Sequence, residues 1–340
     1  MKTVGIIGGG QLAQLLSVSA YQLGLKTVCF VEEEDCPAKR CSPLFLGKLS
    51  DNDALEKFST QVDVITVENE NVDIDTLKKC EKIKPVFPHP DIIQIAQDRL
   101  FEKNYFQKLL IPTTPFFPVH CAADLKKENG FLKTRRLGYD GKGQIHITPD
   151  SNLTDAWNLL NKPAIFEHFI DFETEVSQLV ARNSDGDIQF FPLIENKHQE
   201  GILRTSHFAH FPALEKKAQD YARTLVESLN YIGVLAIEFF VQKNELIMNE
   251  IAPRVHNSGH LTIEGCNVSQ FDQHLRAILN LSLIKPAIIQ SVEMINIIGE
   301  WPENLDQFHH IYDYGKAARK NRKLGHAICC YKVKSEWNGA

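Results

Sequence analysis

The chain has 340 residues and a mass of 38.6 kDa, which is enough for two or three packed domains. Its 43% apolar and 24% charged residues exclude a wholly disordered chain. The net charge of −6 argues against a nucleic-acid partner bound through bulk charge, and the mean hydropathy of −0.22 argues against a membrane protein. The eight cysteines show no zinc-ligand spacing, which favours ordinary thiols of a cytoplasmic protein.

Strand and helix patterns alternate over the first part of the chain. Short apolar runs predict strands at 4–7, 26–31, 62–67 and 86–87. Apolar residues at helical spacing predict helices over 11–23, 53–58 and 72–79. This alternation is typical of a doubly wound parallel sheet, so we expect an N-terminal α/β domain over residues 1–98.

The rest of the chain follows a different order. A helical pattern over 91–110 leads into a mixed segment with a glycine-rich turn, and we assign 99–166 to a linker helix and a small subdomain. Predicted strands then alternate with turns around one predicted helix, the strands at 175–181, 188–193, 234–241 and 245–251 and the helix over 214–229. This α+β layout predicts an antiparallel domain over 167–290 and a small, short C-terminal subdomain over 291–340.

The first motif is a glycine turn between the first strand and the first helix. The segment Gly8-Gly9-Gly10-Gln11-Leu12-Ala13 satisfies G-x-G-x-x-A, and Glu32 to Glu34 follow about 20 residues later. A turn of this kind can hold a dinucleotide, can hold another phosphate ligand at the helix N-terminus, or can serve only strand–helix packing. The motif alone leaves these three interpretations open.

The second motif is a basic loop at 133–144, with the sequence Lys-Thr-Arg-Arg-Leu-Gly-Tyr-Asp-Gly-Lys-Gly-Gln. Its three glycines allow backbone amides to close on phosphate oxygens, and its lysines and arginines supply positive charge. It lacks the spacing of a Walker loop. An ordinary basic hairpin turn is the alternative interpretation.

The third motif is a pair of acids in two apolar strands. Glu238 and Glu250 face each other if the hairpin folds about residue 244. Facing carboxylates repel unless a cation intervenes, and Mg²⁺ binds one or two carboxylates together with phosphate oxygens. Two exposed acids on a solvent face are the alternative. The segment 249–260, which follows directly, is rich in Arg, His and Asn and can bind an oxyanion.

Together these motifs resemble the ATP-grasp superfamily, and more narrowly its N5-carboxyaminoimidazole ribonucleotide synthetases. The resemblance covers nearly the whole chain and rests most on Gly-Tyr-Asp-Gly-Lys-Gly-Gln at 138–144 and on Asn-Glu-Ile-Ala-Pro-Arg-Val-His-Asn-Ser-Gly at 249–259. It implies an ATP-grasp fold and a homodimer. It also implies a reaction in which ATP and bicarbonate form carboxyphosphate, and that species, or CO₂ released from it, carboxylates 5-aminoimidazole ribonucleotide. Mg²⁺ would be the cofactor, with Mn²⁺ as an alternative metal.

The resemblance also implies roles for individual residues. The ATP phosphates would contact Arg99, Lys133, Tyr139, Asp140, Gly141, Lys142, Gly143 and Gln144. The adenine would pass the hinge at Glu167, His168, Phe169 and Ile170, and Glu175 would contact the ribose hydroxyls. His198 would also line the nucleotide site, and Asn249 would assist the metal site. Metal ions would bind Glu238 and Glu250. Bicarbonate and carboxyphosphate would contact Arg254 and His256, and Tyr139 and Asp140 count as catalytic as well. The ribonucleotide would lie against Gln11, Leu12, Glu70, Asn257, Lys316, Arg322 and Lys323.

Three other functions compete with this interpretation. A formate-dependent glycinamide ribonucleotide ligase of the same superfamily would share the nucleotide site. An NAD-dependent dehydrogenase would use the first glycine turn, but it leaves the paired glutamates unexplained. A nucleotide-sensing protein with a decayed site is disfavoured because Lys133, Glu238 and Glu250 are present. Val67 and Asn69 replace the aromatic residues usual in the family, so the substrate wall is expected to differ slightly.

Overall fold

A computed structural model describes residues 1–138 and 141–331. The N-terminal part alternates strands and helices: β1 (Thr3–Ile7), α1 (Gln11–Gln22), β2 (Lys26–Val31), β3 (Leu44–Leu46), α2 (Asn52–Thr60), β4 (Val64–Val67) and α3 (Ile74–Glu81). Its four strands are all parallel, in the order β3-β2-β1-β4. The doubly wound α/β interpretation is therefore confirmed.

Two details of that sheet differ from the prediction. The expected strand at 86–87 is only a single bridge between Val86 and Ile65. Pro85 and Pro88 flank it and have no N–H to donate, so the ladder cannot extend. The sequence pattern also missed β3, whose three residues follow Pro43 and pair with β2.

The predicted helix over 91–110 is two helices, α4 (Pro90–Ala96) and α5 (Arg99–Lys108). The break falls at Asp98, which caps α5 by accepting a hydrogen bond from the Leu100 amide at 3.0 Å. The same carboxylate receives two hydrogen bonds from Arg135, at 2.9 and 2.7 Å. A local cap and a distant ion pair therefore fix the break, and periodicity alone does not report either one.

A four-stranded antiparallel sheet forms the small subdomain that follows, which we call the lid. It consists of β5 (Phe116–Val119), β6 (Gly130–Thr134), β7 (Gln144–Ile147), α6 (Leu153–Leu160) and β8 (Ala164–His168), with strand order β5-β8-β6-β7. It has its own small core, which includes Leu132, Ile147 and Phe166. The glycine-rich loop joins β6 to β7.

A nine-stranded antiparallel sheet forms the largest part of the chain. Its elements are β9 (Thr174–Arg182), β10 (Ile188–Phe190), β11 (Ile194–Gln199), β12 (Ile202–Phe208), α7 (Pro212–Ser228), β13 (Gly233–Gln242), β14 (Glu245–Ala252), α8 (Thr262–Gly265), α9 (Gln270–Ile278), β15 (Ser291–Ile298), β16 (His310–Asp313) and β17 (Lys323–Tyr331). The order is β14-β13-β9-β11-β12-β15-β17-β16, with β10 beside β9. The sheet is continuous across the boundary expected at residue 290. The sequence analysis missed β11 and β12, because buried polar residues such as Asn196 and Ser206 interrupt their apolar pattern.

One buried histidine joins the N-terminal domain to the large sheet. His274 Nδ1 accepts a hydrogen bond from the Val234 amide at 3.1 Å, so Nε2 carries the proton and donates to Thr66 Oγ1 at 2.9 Å. Burial lowers the pKa of His274 to about 4, which keeps the ring neutral. This contact and the packing of α1 on α9 hold the ends of the parallel strands over the loop that follows β14.

Candidate functional site

The first glycine turn is filled by a carboxylate of the chain itself. Glu68, just after β4, accepts hydrogen bonds from the amides of Gly10 at 2.5 Å and Ala13 at 3.1 Å. A Cβ atom at Gly8 or Gly10 would come within 2.4 or 2.7 Å of Glu68. Of the three interpretations of this turn, close packing is supported, because a pyrophosphate at the N-terminus of α1 would compete with this anion. This geometry disfavours the dehydrogenase alternative.

Glu70 and Arg254 meet across the gap between the N-terminal domain and the large sheet. The guanidinium binds the carboxylate through two nitrogens, with Nη2 at 2.9 Å from Oε1 and Nε against Oε2. Burial raises the pKa of Glu70, but the Arg254 charge outweighs it and holds that pKa below its usual value. A residue predicted to bind substrate and one predicted to act in catalysis are therefore in direct contact.

His256 lies next to this pair in a defined protonation state. Its Nδ1 accepts from the Ser258 amide at 3.3 Å and contacts Ser258 Oγ at 2.9 Å, while Nε2 lies 3.5 Å from Glu238 Oε1. Burial and the charge of Arg254 lower the pKa of His256 well below its usual value. The ring is therefore neutral and directs an Nε2–H toward Glu238.

On the substrate side, the buried side-chain amide of Asn257 lacks hydrogen-bond partners in the part of the chain that the structure describes. Both its Oδ1 and its Nδ2 are buried and have no hydrogen-bond partner within the described ranges. Buried amide atoms of this kind nearly always have a partner, so the side chain fits a ligand contact. This observation agrees with its predicted place in the substrate site.

Three predicted phosphate-binding cations converge beside α1. Lys316 donates to Gln11 Oε1 at 2.6 Å, and Leu12 is buried one residue further along the helix. Burial lowers the pKa of Lys316 to about 8; Glu68 opposes this shift, and Arg322 and Lys323 reinforce it. Like charges held this close favour an anionic ligand between them.

A cavity of about 390 Å³ lies next to this cluster, lined by Arg204, Ile298, Gly299, Glu300, Lys320 and Asn321. The buried Nε of Arg204 has no hydrogen-bond partner among the residues described. Sequence reasoning missed Arg204, because a lone arginine in an unrecognised strand carries no motif.

Glu238 and Glu250 lie directly opposite each other on β13 and β14, as predicted. The reason includes a feature that the sequence analysis did not foresee. The two-residue turn at Lys243 and Asn244 pairs Phe239 with Met248, and Asn249 is then an inserted residue that shifts the register by one. Without this bulge, Glu238 would face Asn249 instead. Burial and the Glu250 carboxylate raise the pKa of Glu238 to about 8.

The nucleotide side contains a buried ion cluster at the base of the lid. Lys133, on β6, donates to Glu167 Oε2 at 2.9 Å, and the fully buried Lys103 lies 3.6 Å from the same oxygen. Burial raises the pKa of Glu167, but the two lysines outweigh it and lower that pKa to about 2. The carboxylate of Glu167 is therefore committed to these lysines, and Lys103 is a participant to which the sequence analysis assigned no role.

The loop between β6 and β7 is held from below by Arg99. Its guanidinium donates to the carbonyls of Thr134 and Gly138, both at 3.0 Å. Gly141 and Gly143 have φ values of 74° and 72°, which favour glycine. Lys142 and Gln144 are exposed at the end of this loop, whereas Tyr139 and Asp140 lie outside the described residues.

The remaining predicted nucleotide residues line the strands next to the lid. His168 ends β8, and the exposed Phe169 and the half-buried Ile170 follow it. Glu175 Oε2 lies 2.8 Å from His198 Nδ1. Burial lowers the pKa of His198, but the nearby carboxylates of Glu175 and Glu238 outweigh it and raise that pKa. Glu175, His198 and Glu238 therefore lie near one another on β9, β11 and β13.

Family models match three consecutive parts of the chain. They are the ribonucleotide synthetase preATP-grasp domain over residues 1–97, the ATP-grasp domain over 104–271, and the phosphoribosylaminoimidazole carboxylase C-terminal domain over 293–337. The order of the three matches follows the order of the structural units described above.

Individual relatives agree over nearly the full length. N5-carboxyaminoimidazole ribonucleotide synthase from Pseudomonas aeruginosa is 39% identical over 335 residues, covering 95% of this chain and 93% of that protein. The crystal structure of the synthetase from Thermus thermophilus is 40% identical, with a TM-score of 0.91 over 96% of this chain and 93% of that one. The Aspergillus clavatus synthase in complex with ADP and 5-aminoimidazole ribonucleotide is 28% identical, with a TM-score of 0.86 over 97% and 94%. The chain therefore belongs to the N5-carboxyaminoimidazole ribonucleotide synthase family of ATP-grasp enzymes.

Proposed function

We propose that the chain is an ATP-dependent ligase that carboxylates 5-aminoimidazole ribonucleotide in purine biosynthesis, with bicarbonate as the carbon source. One observation carries the proposal. His256 Nε2 lies 3.5 Å from Glu238, so the facing carboxylates of the nucleotide side adjoin the Arg254–Glu70 pair of the substrate side. The two half-reactions of such a ligase need this adjacency, because the activated intermediate must reach the amine before water does.

On the nucleotide side, positioning and charge neutralisation carry the phosphoryl transfer. Lys133, Arg99 and the loop 141–144 would hold the phosphates, and we keep Tyr139 and Asp140 as proposals from the sequence. The backbone of Glu167 and residues 168–170 would receive the adenine, while Glu175 and His198 would contact the ribose. Glu167 supports this arrangement by fixing the Lys133 ammonium at 2.9 Å.

The two facing acids fit a divalent cation. Glu238 and Glu250 are paired across the strands, and burial together with the Glu250 carboxylate raises the pKa of Glu238. Within residues 1–138 and 141–331 no group of three or more His, Cys, Asp or Glu side chains could hold a metal ion by itself, and Mg²⁺ with a nucleotide needs only one or two carboxylates. We propose that Glu238 and Glu250, assisted by Asn249, hold Mg²⁺. The bound ion would neutralise phosphate charge, and Mn²⁺ is the alternative.

On the substrate side, Arg254 and His256 are proposed to hold bicarbonate. A bicarbonate oxygen would attack the γ-phosphorus as the bond to ADP breaks. The resulting carboxyphosphate would transfer its carboxyl group to the exocyclic amine, which loses one proton as phosphate leaves. The guanidinium of Arg254 and the Nε2–H of His256 would stabilise the oxyanion. The loop between β6 and β7 would exclude water from this intermediate.

The ribonucleotide is proposed to lie between the N-terminal domain and the loop after β14. Lys316, Arg322 and Lys323 would bind its 5′-phosphate, since their positive charges converge beside α1. Gln11, Leu12, Glu70 and Asn257 would contact the remainder. The unpartnered amide atoms of Asn257 support this placement.

An ADP-release assay tests the proposal. We expect ADP formation in the presence of bicarbonate to rise when 5-aminoimidazole ribonucleotide is added, and not when glycinamide ribonucleotide and formate are added. We expect Glu250→Ala to abolish turnover without loss of the fold, as measured by circular dichroism. Stimulation by the second substrate pair alone would establish the competing ligase, and retained turnover in Glu250→Ala would overturn the metal assignment.

We also propose a cytoplasmic homodimer. The eight cysteines form no disulfide, which supports a reducing compartment. In the described part of the chain, no helix is both long and apolar enough to cross a bilayer. The exposed side chains of Val18 and Tyr21 on α1 offer apolar surface for a second subunit. Sedimentation equilibrium should give twice the monomer mass.

A further inference from the structure

The first residue of α9 is a fully buried glutamine that clasps the backbone of His256. Gln270 Oε1 accepts a hydrogen bond from the His256 amide at 2.8 Å, and Gln270 Nε2 donates to the His256 carbonyl at 2.6 Å. Both polar backbone groups of one residue are thus bound by a single side chain from a different element. His256 caps a short 3-10 turn, in which the Gly259 amide also donates to its carbonyl at 3.1 Å, and no β-ladder holds its own amide.

The glutamine is itself held at both ends. Its backbone amide donates to Thr262 Oγ1 at 2.9 Å, and its Nε2 also lies 3.3 Å from His260 Nδ1. His260 is buried, and burial lowers its pKa to about 3, so its neutral Nδ1 can act as an acceptor. These contacts allow only one orientation of the amide, with Oε1 toward the His256 N–H. A Cβ at Gly259 would lie 2.5 Å from the same Oε1, which shows how closely the loop packs on it.

We propose that Gln270 is a positioning residue for the carboxylation step, acting through His256. The proposal rests on the function proposed above. The clasp fixes the backbone of His256, Ser258 orients its ring, and together they hold Nε2–H on the side of Glu238, where the oxyanion is proposed to form. Removing the clasp lets the ring move, and a displacement of about 1 Å can reduce the rate of a positioned reaction about 100-fold.

The same helix provides a matched control one turn later. Gln273 is equally buried and clasps Ile284 in the same way, with Nε2 donating to the Ile284 carbonyl at 2.5 Å and Oε1 accepting from its amide at 3.1 Å. Ile284 lies on the connection to β15 and has no role in the proposed site. Gln270→Met and Gln273→Met therefore each remove two hydrogen bonds from a side chain of α9 to the backbone of another residue. The first variant releases the backbone of His256, and the second releases that of Ile284.

Steady-state kinetics of the full chain provide the first test. We expect Gln270→Met to lower kcat of turnover dependent on 5-aminoimidazole ribonucleotide by about 10- to 100-fold, with KM for ATP unchanged. Gln273→Met should keep kcat within about 2-fold of the parent, although it should lower the melting temperature about as much as Gln270→Met does. Equal losses of kcat in the two variants would mean that Gln270 is only structural, and unchanged kcat in Gln270→Met would also overturn the proposal.

A double-mutant cycle separates the positioning role from the proposed function. If Gln270 acts through His256, adding Gln270→Met to His256→Ala causes no further loss of kcat, whereas additive losses contradict the inference.

If the parent shows no stimulation by the ribonucleotide, the proposed function fails, and a structural measurement then decides the inference. The imidazole NMR signal of His256, identified by its loss in His256→Ala, should shift in Gln270→Met and not in Gln273→Met. An unshifted signal refutes the clasp. If Gln270→Met does not fold, Gln270→Glu, which keeps the acceptor for the amide, must show the same selective loss.

Discussion

Replacing Glu167 with glutamine tests the buried ion cluster at the base of the lid. The substitution keeps the shape of the side chain and removes its charge. Lys103, only 1% exposed, and Lys133 then lose the carboxylate that lies 3.6 and 2.9 Å from them. A buried ammonium without a counter-charge is costly, so we expect Glu167→Gln to destabilise the lid and to weaken ATP binding.

The magnitude follows from the shifted titration. The pKa of Glu167 falls from 4.5 to about 2 because two lysines outweigh the effect of burial. Each pH unit of such a shift corresponds to about 1.4 kcal/mol, so the ionised carboxylate contributes about 3 kcal/mol at pH 7. Because the folded-state pKa is depressed, this contribution is complete above pH 4.5 and is lost as the pH falls toward 2. The difference between parent and variant should shrink over the same window.

Urea unfolding followed by the fluorescence of Trp157, on α6 of the lid, measures this difference in a Trp301→Phe, Trp337→Phe background. Glu128→Gln is the control, because Glu128 pairs with His168 at 3.6 Å on the lid surface. Its loss should change the free energy of unfolding by less than about 1 kcal/mol. Adding Lys103→Met to Glu167→Gln should restore part of the lost stability by removing the unpaired charge. The reasoning is refuted if Glu167→Gln and Glu128→Gln unfold at the same urea concentration.

Three further predictions concern the domain contact and the substrate side. Burial lowers the pKa of His274 to about 4, so the unfolded chain takes up the proton first, and about 3 kcal/mol of stability is lost as the pH falls from 6.5 to 4. His274→Phe should make the melting temperature less dependent on pH over that window, and an unchanged pH dependence would contradict this. Glu68→Gln replaces one of the two carboxylate oxygens that accept from the Gly10 and Ala13 amides with an NH2 group, so the turn before Gln11 is distorted, and KM for the ribonucleotide should rise about 10-fold while KM for ATP is unchanged; equal changes in both KM values would count against it. Arg254→Met should reduce ribonucleotide-dependent turnover at least about 100-fold because Glu70 is left buried and unpaired, whereas Arg276→Met, which breaks a local pair with Asp272, should not.

Most of the order of strands and helices in the N-terminal domain was predictable from the sequence, because it depends on local patterns. Alternating apolar runs and helical spacing identified the parallel sheet of the N-terminal domain, and strands β1 and β2 lie where the pattern placed them. The dense motifs at 133–144 and 249–260 identified the family for the same reason, since each is contiguous in the chain. Errors occurred where a distant partner decides the local structure, as at Asp98, whose capping and pairing with Arg135 divide the helix.

The candidate site shows the same division between features that local sequence patterns predict and features that distant contacts decide. The sequence by itself identified the residue types and brought Glu238 and Glu250 together, but the bulge at Asn249 that aligns them is a property of the paired strands. It placed Glu70 and Arg254 in one site without showing that they bind each other, and it assigned no role to Glu68, Lys103 or Gln270. Those three act through partners that lie 58, 64 and 14 residues away along the chain. Sequence motifs determine which chemical groups are present, and only the packing of the domains decides which of them meet, because contacts between distant segments leave no periodic trace in the chain.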